Sequence, residues 1–451
     1  MVQRPTRRLG AAVEGGPGQG RRHAARGQPR AVRGADRRAQ PPVAEGRLLA
    51  AGTNRRNREA ALIVAESFDA VVVGCGIAGA STAFFLQAKG LKVLALERDK
   101  PAAGGTGLSA AIMRQHYSTP LMARLAHAAI RIFQSASELL GRDAGFRRAG
   151  YLFLVPPDAL AAAQRNVAMQ RELGIDTTLL DPAELAARMP WLNTDGVAGA
   201  AFEPDGGYTD PEVATEAFAV AFQEKGGELR TKTAARGLLR SGDRITGVLL
   251  DSGDVHANWV VNAAGPWAPP LAQSAGLAMQ MRTVREQDSV WEARPGRPLP
   301  GHSISNAVDA IYLRPLGDRR FIVGRGFPKE YVDVDPYNYK RTADDAFVAD
   351  VQQRMVLRFP TLDGARLVNA YAALYDVTLD WYQYVGPRAG VDGYADFCGG
   401  SGHGFKEAPA IARELADWLV EGKVRADFRQ FSYDRVAANN LFVLSYGGNR
   451  G

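Results

Sequence analysis

The 451-residue sequence predicts an α/β fold, α+β in overall content, on three observations. A β-branched apolar run passes straight into a glycine-rich turn, a helix and a second strand that ends in an acid. Later apolar runs are separated by turn residues at hairpin spacing, as at Asp251-Ser-Gly-Asp254, which fits strand-rich insertions. Finally, 46% hydrophobic and 23% charged residues are ordinary for a globular chain. The length allows two domains at roughly 100–200 residues each.

The N-terminal stretch stands apart. Residues 1–60 hold fourteen arginines, no lysine and four acidic residues, a balance of +10 that leaves residues 61–451 at −3 of the chain's +7. A basic pI therefore does not describe the body of the protein. The leader is rich in Gly and Pro and poor in apolar residues, so the expectation is a disordered tail, or sequence translated upstream of the true start. A transit peptide would be Ser-rich, yet the first serine is Ser67. A twin-arginine signal at Arg7–Arg8 lacks an adequate apolar core. With no apolar run near the ~18–20 residues of a spanning helix, a soluble protein is expected. Two cysteines, Cys75 and Cys398, without metal spacing point to the cytoplasm and to no metal site.

The first strand is Phe68–Val73, followed by Gly74-Cys-Gly76-Ile77-Ala78-Gly79, a helix from Ser81 to Lys89, and the strand Lys92–Glu97. In a dinucleotide turn Gly74 permits the sharp bend, Gly76 lets the backbone approach a pyrophosphate, and Gly79 allows close helix–strand packing. Ile77 and Ala78 complete the turn, whose N–H groups and helix dipole favour phosphate. Glu97, 18 residues after Gly79, is placed to accept ribose hydroxyls and argues against NADP. A second copy of the motif is missing, so one dinucleotide is expected. The stretch Arg98-Asp-Lys-Pro-Ala-Ala-Gly104-Gly105-Thr-Gly suits a backbone wrapped around an extended cofactor, which favours FAD over NAD.

Four further motifs follow in order. They are Ala111-Ile-Met-Arg114-Gln-His116-Tyr117; Glu203-Pro-Asp-Gly-Gly-Tyr-Thr-Asp210-Pro211, with Asp210 as N-cap and Pro211 as first helical residue; Trp259–Asn262 opening into Ala263-Ala264-Gly265-Pro-Trp267; and Gly399-Gly400-Ser-Gly402-His403-Gly404-Phe-Lys406, before a helix from about Ala408 to Val420. With the first turn, these resemble the glycine oxidase, sarcosine oxidase and D-amino-acid oxidase superfamily of flavoproteins, from about Phe68 to about Phe431.

The resemblance implies a Rossmann-like FAD-binding domain, assembled from residues 68–148, 205–270 and 378–430, with an interleaved, mainly antiparallel β-sheet substrate domain of residues 149–204 and 271–377 and a tail at 431–451. It implies that Ala264, Gly265 and Trp267 form a second cofactor turn. Gly400, Gly402, His403, Gly404 and Lys406 would approach the flavin ring. A helix N-terminus with Lys406 beside it would stabilise negative charge there. Arg114 and Lys406 are implied to grip a substrate carboxylate, Tyr312 to face the substrate, and His403 to pack near the cofactor more than to act as a base; His116 is a lesser candidate. The implied reaction passes hydride from the carbon beside a neutral amine nitrogen to flavin N5, and the imine hydrolyses; it asks little of the protein as acid or base.

Departures from the pattern carry information. Ala111 stands where monomeric sarcosine oxidases carry a basic residue, and Tyr371–Tyr375 lacks the cysteine that attaches flavin, so FAD is expected to be non-covalent. Phe321–Val323 lacks their oxygen-activating lysine, although Arg320 and Arg325 flank it, which leans toward a dehydrogenase. The expected partners are a small amine or amino acid, and oxygen or an electron-carrier protein, with a homo- or hetero-oligomer open. Competing readings are an FAD dehydrogenase of a hydroxy acid or polyol feeding a quinone or carrier, a flavoprotein of tRNA modification whose leader tracks phosphates, and a partner-dependent subunit. Against nucleic acid stand the net negative body and arginines without interleaved aromatics.

Overall fold

The computed structural model describes residues 66–443, so the leader expected at 1–60 and the last residues of the tail lie outside it. The central strand, β1 (Glu66–Val73), is followed by α1 (Ile77–Ala88) and β2 (Val93–Leu96). Both β2 and Gly253–Asn262 flank β1 in parallel, and the parallel set extends to Glu228–Arg230 on one side and Val391–Cys398 on the other. Antiparallel strands Gly237–Ser241, Arg244–Leu250 and Tyr384–Arg388 complete an eight-stranded sheet. The hairpin at Asp251–Asp254 therefore closes within this sheet rather than in an insertion.

β1 shows no polar alternation because both of its faces are covered. Ala70 and Val72 pack in a core with Phe84, Phe218 and Ile411 from helices Ile77–Ala88, Pro211–Glu224 and Gly404–Glu421, whereas Val71 and Val73 pack with Leu238, Val248 and Leu271. Asp210 caps the helix Pro211–Glu224, accepting from the N–H groups of Glu212 and Val213.

A second sheet has nine strands. Its long members are β3 (Met281–Glu292), β4 (Ile311–Gly317), β5 (Arg320–Arg325) and β6 (Arg366–Thr378). β3 pairs antiparallel with β5 and with β6, and β5 with β4. One pair, Ser303–Asn306 with Tyr151–Val155, is parallel. The fold is thus a mixed α/β arrangement in which a parallel, Rossmann-like sheet and a mainly antiparallel sheet alternate along the chain. No helix among the described residues is long and apolar enough to cross a membrane.

A buried ion pair ties the edge of the first sheet. Arg388 Nε donates to Asp396 Oδ2 at 2.6 Å, and the Tyr394 hydroxyl donates to the other oxygen at 2.8 Å. Both ends are buried, so Arg388→Ala strands a carboxylate without its cation. The expected loss is about 3–5 kcal/mol of unfolding free energy, read from urea melts; a loss below about 1 kcal/mol, the range of surface pairs, would show that the pair is not buried.

Candidate active site

The first turn is set by contacts that exclude side chains. Gly74 has φ +100°, and a Cβ there would lie 2.5 Å from the Ala263 carbonyl oxygen. A Cβ on Gly79 would strike the Gly74 carbonyl. Gly76 brings no side chain to cap α1, whose first N–H, that of Ile77, donates to the Thr106 hydroxyl at 3.2 Å. Glu97 stands just past β2, its Oε2 accepting from Cys75 N at 2.9 Å and its Oε1 from Asp99 N at 2.8 Å. The carboxylate is thereby aimed, with lone pairs to spare for hydroxyls. Arg98 stacks on Trp267, its Cζ 3.5 Å from the ring centroid, and Gly104 lies against the same indole.

One cavity of ≈ 580 Å³ joins this turn to the rest of the site, within the roughly 300–1,000 Å³ of small-molecule sites. Apart from Gly79, whose part is packing, and the lesser candidate His116, every residue expected at the site lines it: Gly74, Gly76, Ile77, Ala78, Glu97, Arg98, Gly104, Gly105, Arg114, Ala264, Gly265, Trp267, Tyr312, Gly400, Gly402, His403, Gly404 and Lys406 all border the same space. Its wall fits a dinucleotide by an independent sign. The buried Trp267 Nε1 and both amide atoms of Gln383 have no hydrogen-bond partner among the described residues, and both side chains line the cavity.

The glycine loop leads into α2 (Gly404–Glu421), which begins four residues before the expected Ala408. Pro409 misplaced the start, since a proline reads as a first-turn residue, whereas here it lies inside the helix. Lys406 consequently sits in the first turn itself. Asp376, at the end of β6, pins the loop by accepting from Gly399 N at 2.8 Å. Neither Asp376 nor Gln383 carries a local sequence signal.

Arg114 and Lys406 meet at Tyr117. The Arg114 guanidinium lies 4.2 Å from the Tyr117 ring centroid and donates to the His116 carbonyl. Lys406 Nζ donates to the Tyr117 hydroxyl at 3.3 Å and to the His403 carbonyl at 2.8 Å. Burial and the neighbouring Arg114 push the Lys406 ammonium well below its ordinary range. Beside it, 3.7 Å away, burial pushes the Glu407 carboxyl up to about 8. His403 is oriented by its Nε2, 2.7 Å from the Trp381 carbonyl, and burial holds the ring neutral.

The far wall comes from the second sheet. The Tyr312 hydroxyl donates to Asp288 Oδ1 at 2.6 Å, and Glu286 is ion-paired with Lys329. Asp288 and Glu286 line the cavity, yet sequence reading missed both because only the register of β3 turns them inward. Arg320 and Arg325 do not line it; Arg325 is paired with Asp350. His116 also lies off the wall, with Nδ1 3.2 Å from Gln170 Oε1. Cys398 lines the cavity, but burial pushes its thiol far up and away from thiolate.

Comparison with known proteins agrees with this geometry. A family model described as FAD dependent oxidoreductase matches residues 69–418. FAD-dependent oxidoreductase domain-containing protein 1 of Bos taurus is 29% identical over 402 residues, covering 79% of this chain and 82% of its own. Sarcosine oxidase subunit beta of an Arthrobacter species is 25% identical over 386 residues, covering 83% of this chain and 93% of its own. Among solved structures, L-proline dehydrogenase from P. horikoshii superposes with a TM-score of 0.77 at 26% identity, over 84% of this chain and all of that one.

His116 offers a pH test of the described packing. Burial pushes it down to about 3 from an ordinary 6.5. Between those values the unfolded chain binds the extra proton, so stability falls as pH drops, by about 1.4 kcal/mol per pH unit. His116→Asn is expected to make the decline between about pH 6 and 4 shallower by that amount in urea melts. An unchanged slope would mean that the folded imidazole takes up its proton normally.

Proposed function

The chain belongs to the FAD dependent oxidoreductase family, and from that premise we propose that it oxidises the C–N bond of an amino acid or of a secondary or N-methyl amine. At the coarser level it is an FAD-dependent oxidoreductase of the amino-acid and amine oxidase–dehydrogenase type. The observation that carries the finer reading is the convergence of Arg114 and Lys406 on Tyr117, at a cavity that also borders the dinucleotide turn.

When bound, FAD supplies the hydride acceptor. Residues 68–148, 205–270 and 378–430 are proposed to hold it, without a covalent bond, through the Gly74–Ala78 turn, Glu97, Arg98, Trp267 and the Gly400–Lys406 loop. Residues 149–204 and 271–377 are proposed to carry the substrate wall. Arg114 and Lys406 take the substrate carboxylate in this reading. The buried Arg114 guanidinium, with the Lys406 amine as a second donor, orients an anion at little entropic cost and so aims its Cα–H. Tyr312 faces the substrate from β4, and neutral His403 shapes the wall beside the loop. Sarcosine and L-proline, named in two of the relatives, are both amino acids with a secondary amine, so N-alkyl amino acids are the first class to assay.

Anaerobic mixing of the flavin-loaded protein with sarcosine, L-proline, a panel of common amino acids and a panel of hydroxy acids is expected to bleach the flavin with an amine. Bleaching by hydroxy acids alone sinks the amine reading. Arg114→Met is expected to weaken binding of the reactive amino acid roughly 10–100-fold, the worth of one hydrogen bond to a charged group. The binding constant comes from the substrate dependence of the bleaching rate.

A further inference from the structure

We propose that Asp288, held by Tyr312, accepts the proton that a cationic amine must lose before its neighbouring C–H can be oxidised. This rests on the amine reading above and deepens it: the substrate arrives as a zwitterion, its carboxylate toward Arg114 and Lys406 and its ammonium toward Asp288.

Three observations carry the assignment. The first is a built hydrogen bond: Tyr312 donates to Asp288 at 2.6 Å, with the Tyr375 ring close to both. The sheet makes room for it, because Gly324 on β5 pairs with Asp288 on β3 and Tyr312 on β4, and a Cβ on Gly324 would strike both side chains. The second is the inequality of the two acids. Glu286 is already matched by Lys329, whereas Asp288 forms no ion pair among the described residues. A buried carboxylate with a phenol but no cation is costly by itself and is complementary to a cationic ligand. The third is position: Asp288 is 7% exposed yet lines the same cavity as Arg114 and Lys406.

The chemistry balances simply. An N–H bond of the ammonium breaks, an O–H bond forms on the Asp288 carboxylate, and the electron pair stays on nitrogen, where it is needed to form the C=N bond. The protein thus has the proton acceptor that the sequence reading did not expect it to need. The groups facing Asp288 are Glu286 on its own strand, Tyr312 and Arg314 on β4, Lys329 beyond β5, and Tyr371 and Tyr375 on β6. Burial raises the carboxyl and Glu286 adds to this, against the Tyr312 bond, Lys329 and Arg314, leaving it at about 6. Above that pH it is ionised and able to take a proton; below it, the acceptor is lost.

The test measures anaerobic flavin reduction by sarcosine and L-proline between about pH 5 and 10 in the full chain, in Asp288→Asn and in Tyr312→Phe. Asp288→Asn is expected to slow reduction near pH 7 on the order of 10²–10⁴-fold. Its rate should recover only at high pH, where free amine supplies itself unprotonated. Tyr312→Phe keeps the carboxylate but removes a donor to its charged form, so the acid limb should move to higher pH. A second readout needs no turnover: the flavin absorbance shift on binding trimethylglycine, against its uncharged isostere 3,3-dimethylbutanoate. The wild type should prefer the cation and Asp288→Asn should lose that preference. If Asp288→Asn keeps the wild-type rate, pH profile and ligand preference, the role of Asp288 falls while the amine reading stands. If no amine reduces the wild type and hydroxy acids do, both fall.

Discussion

Where β1, α1 and the strand Gly253–Asn262 meet, main chain packs against main chain with no space for a side chain, and the site depends on that crossing. Gly74 lies against Ala263 and Gly79 against Gly74. Because the approach is backbone to backbone, the ends of the two parallel strands open side by side, and the turns Gly74–Gly79 and Ala264–Trp267 border one cavity. In parallel sheets such a crevice beyond the carboxyl ends of the strands is where cofactors bind. Glu97, at the end of the next strand, joins the same rim, and its hydrogen bonds to Cys75 and Asp99 tie the acid to the turn it serves.

Basic and acidic groups stand on different walls of the cavity, with Glu286 matched by Lys329 and Asp288 in no ion pair among the described residues. Arg114 and Lys406 share Tyr117 near the start of α2, while Asp288 and Glu286 face inward from β3. Burial acts on each group in the direction that disfavours its charge: Lys406 moves down, and Asp288 and Glu407 move up. The histidine on the wall takes no charge, since burial holds His403 neutral.

The glycine loop shows how the second sheet reaches into the first. Asp376 sits on β6 of the antiparallel sheet, yet its carboxylate fixes Gly399, which directly follows a strand of the parallel one. Ser401 N also donates to the Asp376 carbonyl at 3.0 Å, so one residue of β6 holds the loop that leads into α2 at two points. Lys406 then projects from the first helical turn, where the exposed N–H groups and the ammonium add their fields.

What the sequence determined alone was local. The strand, turn, helix and acid from Phe68 to Glu97, the cap at Asp210 and the glycine-rich motifs are each written within a few consecutive residues, because steric room and hydrogen-bond capacity act over that range. The start of α2 escaped this reading, since Pro409 is a local signal that the tertiary packing overrode. Asp288, Glu286, Lys329, Asp376 and Gln383 escaped it entirely. Each lies on a strand or loop whose neighbours are set by register between segments far apart in sequence. Only the folded sheet brings Asp288 of β3 to Tyr312 of β4 across a glycine of β5, and a single-residue shift in that register would turn the carboxylate to the opposite face.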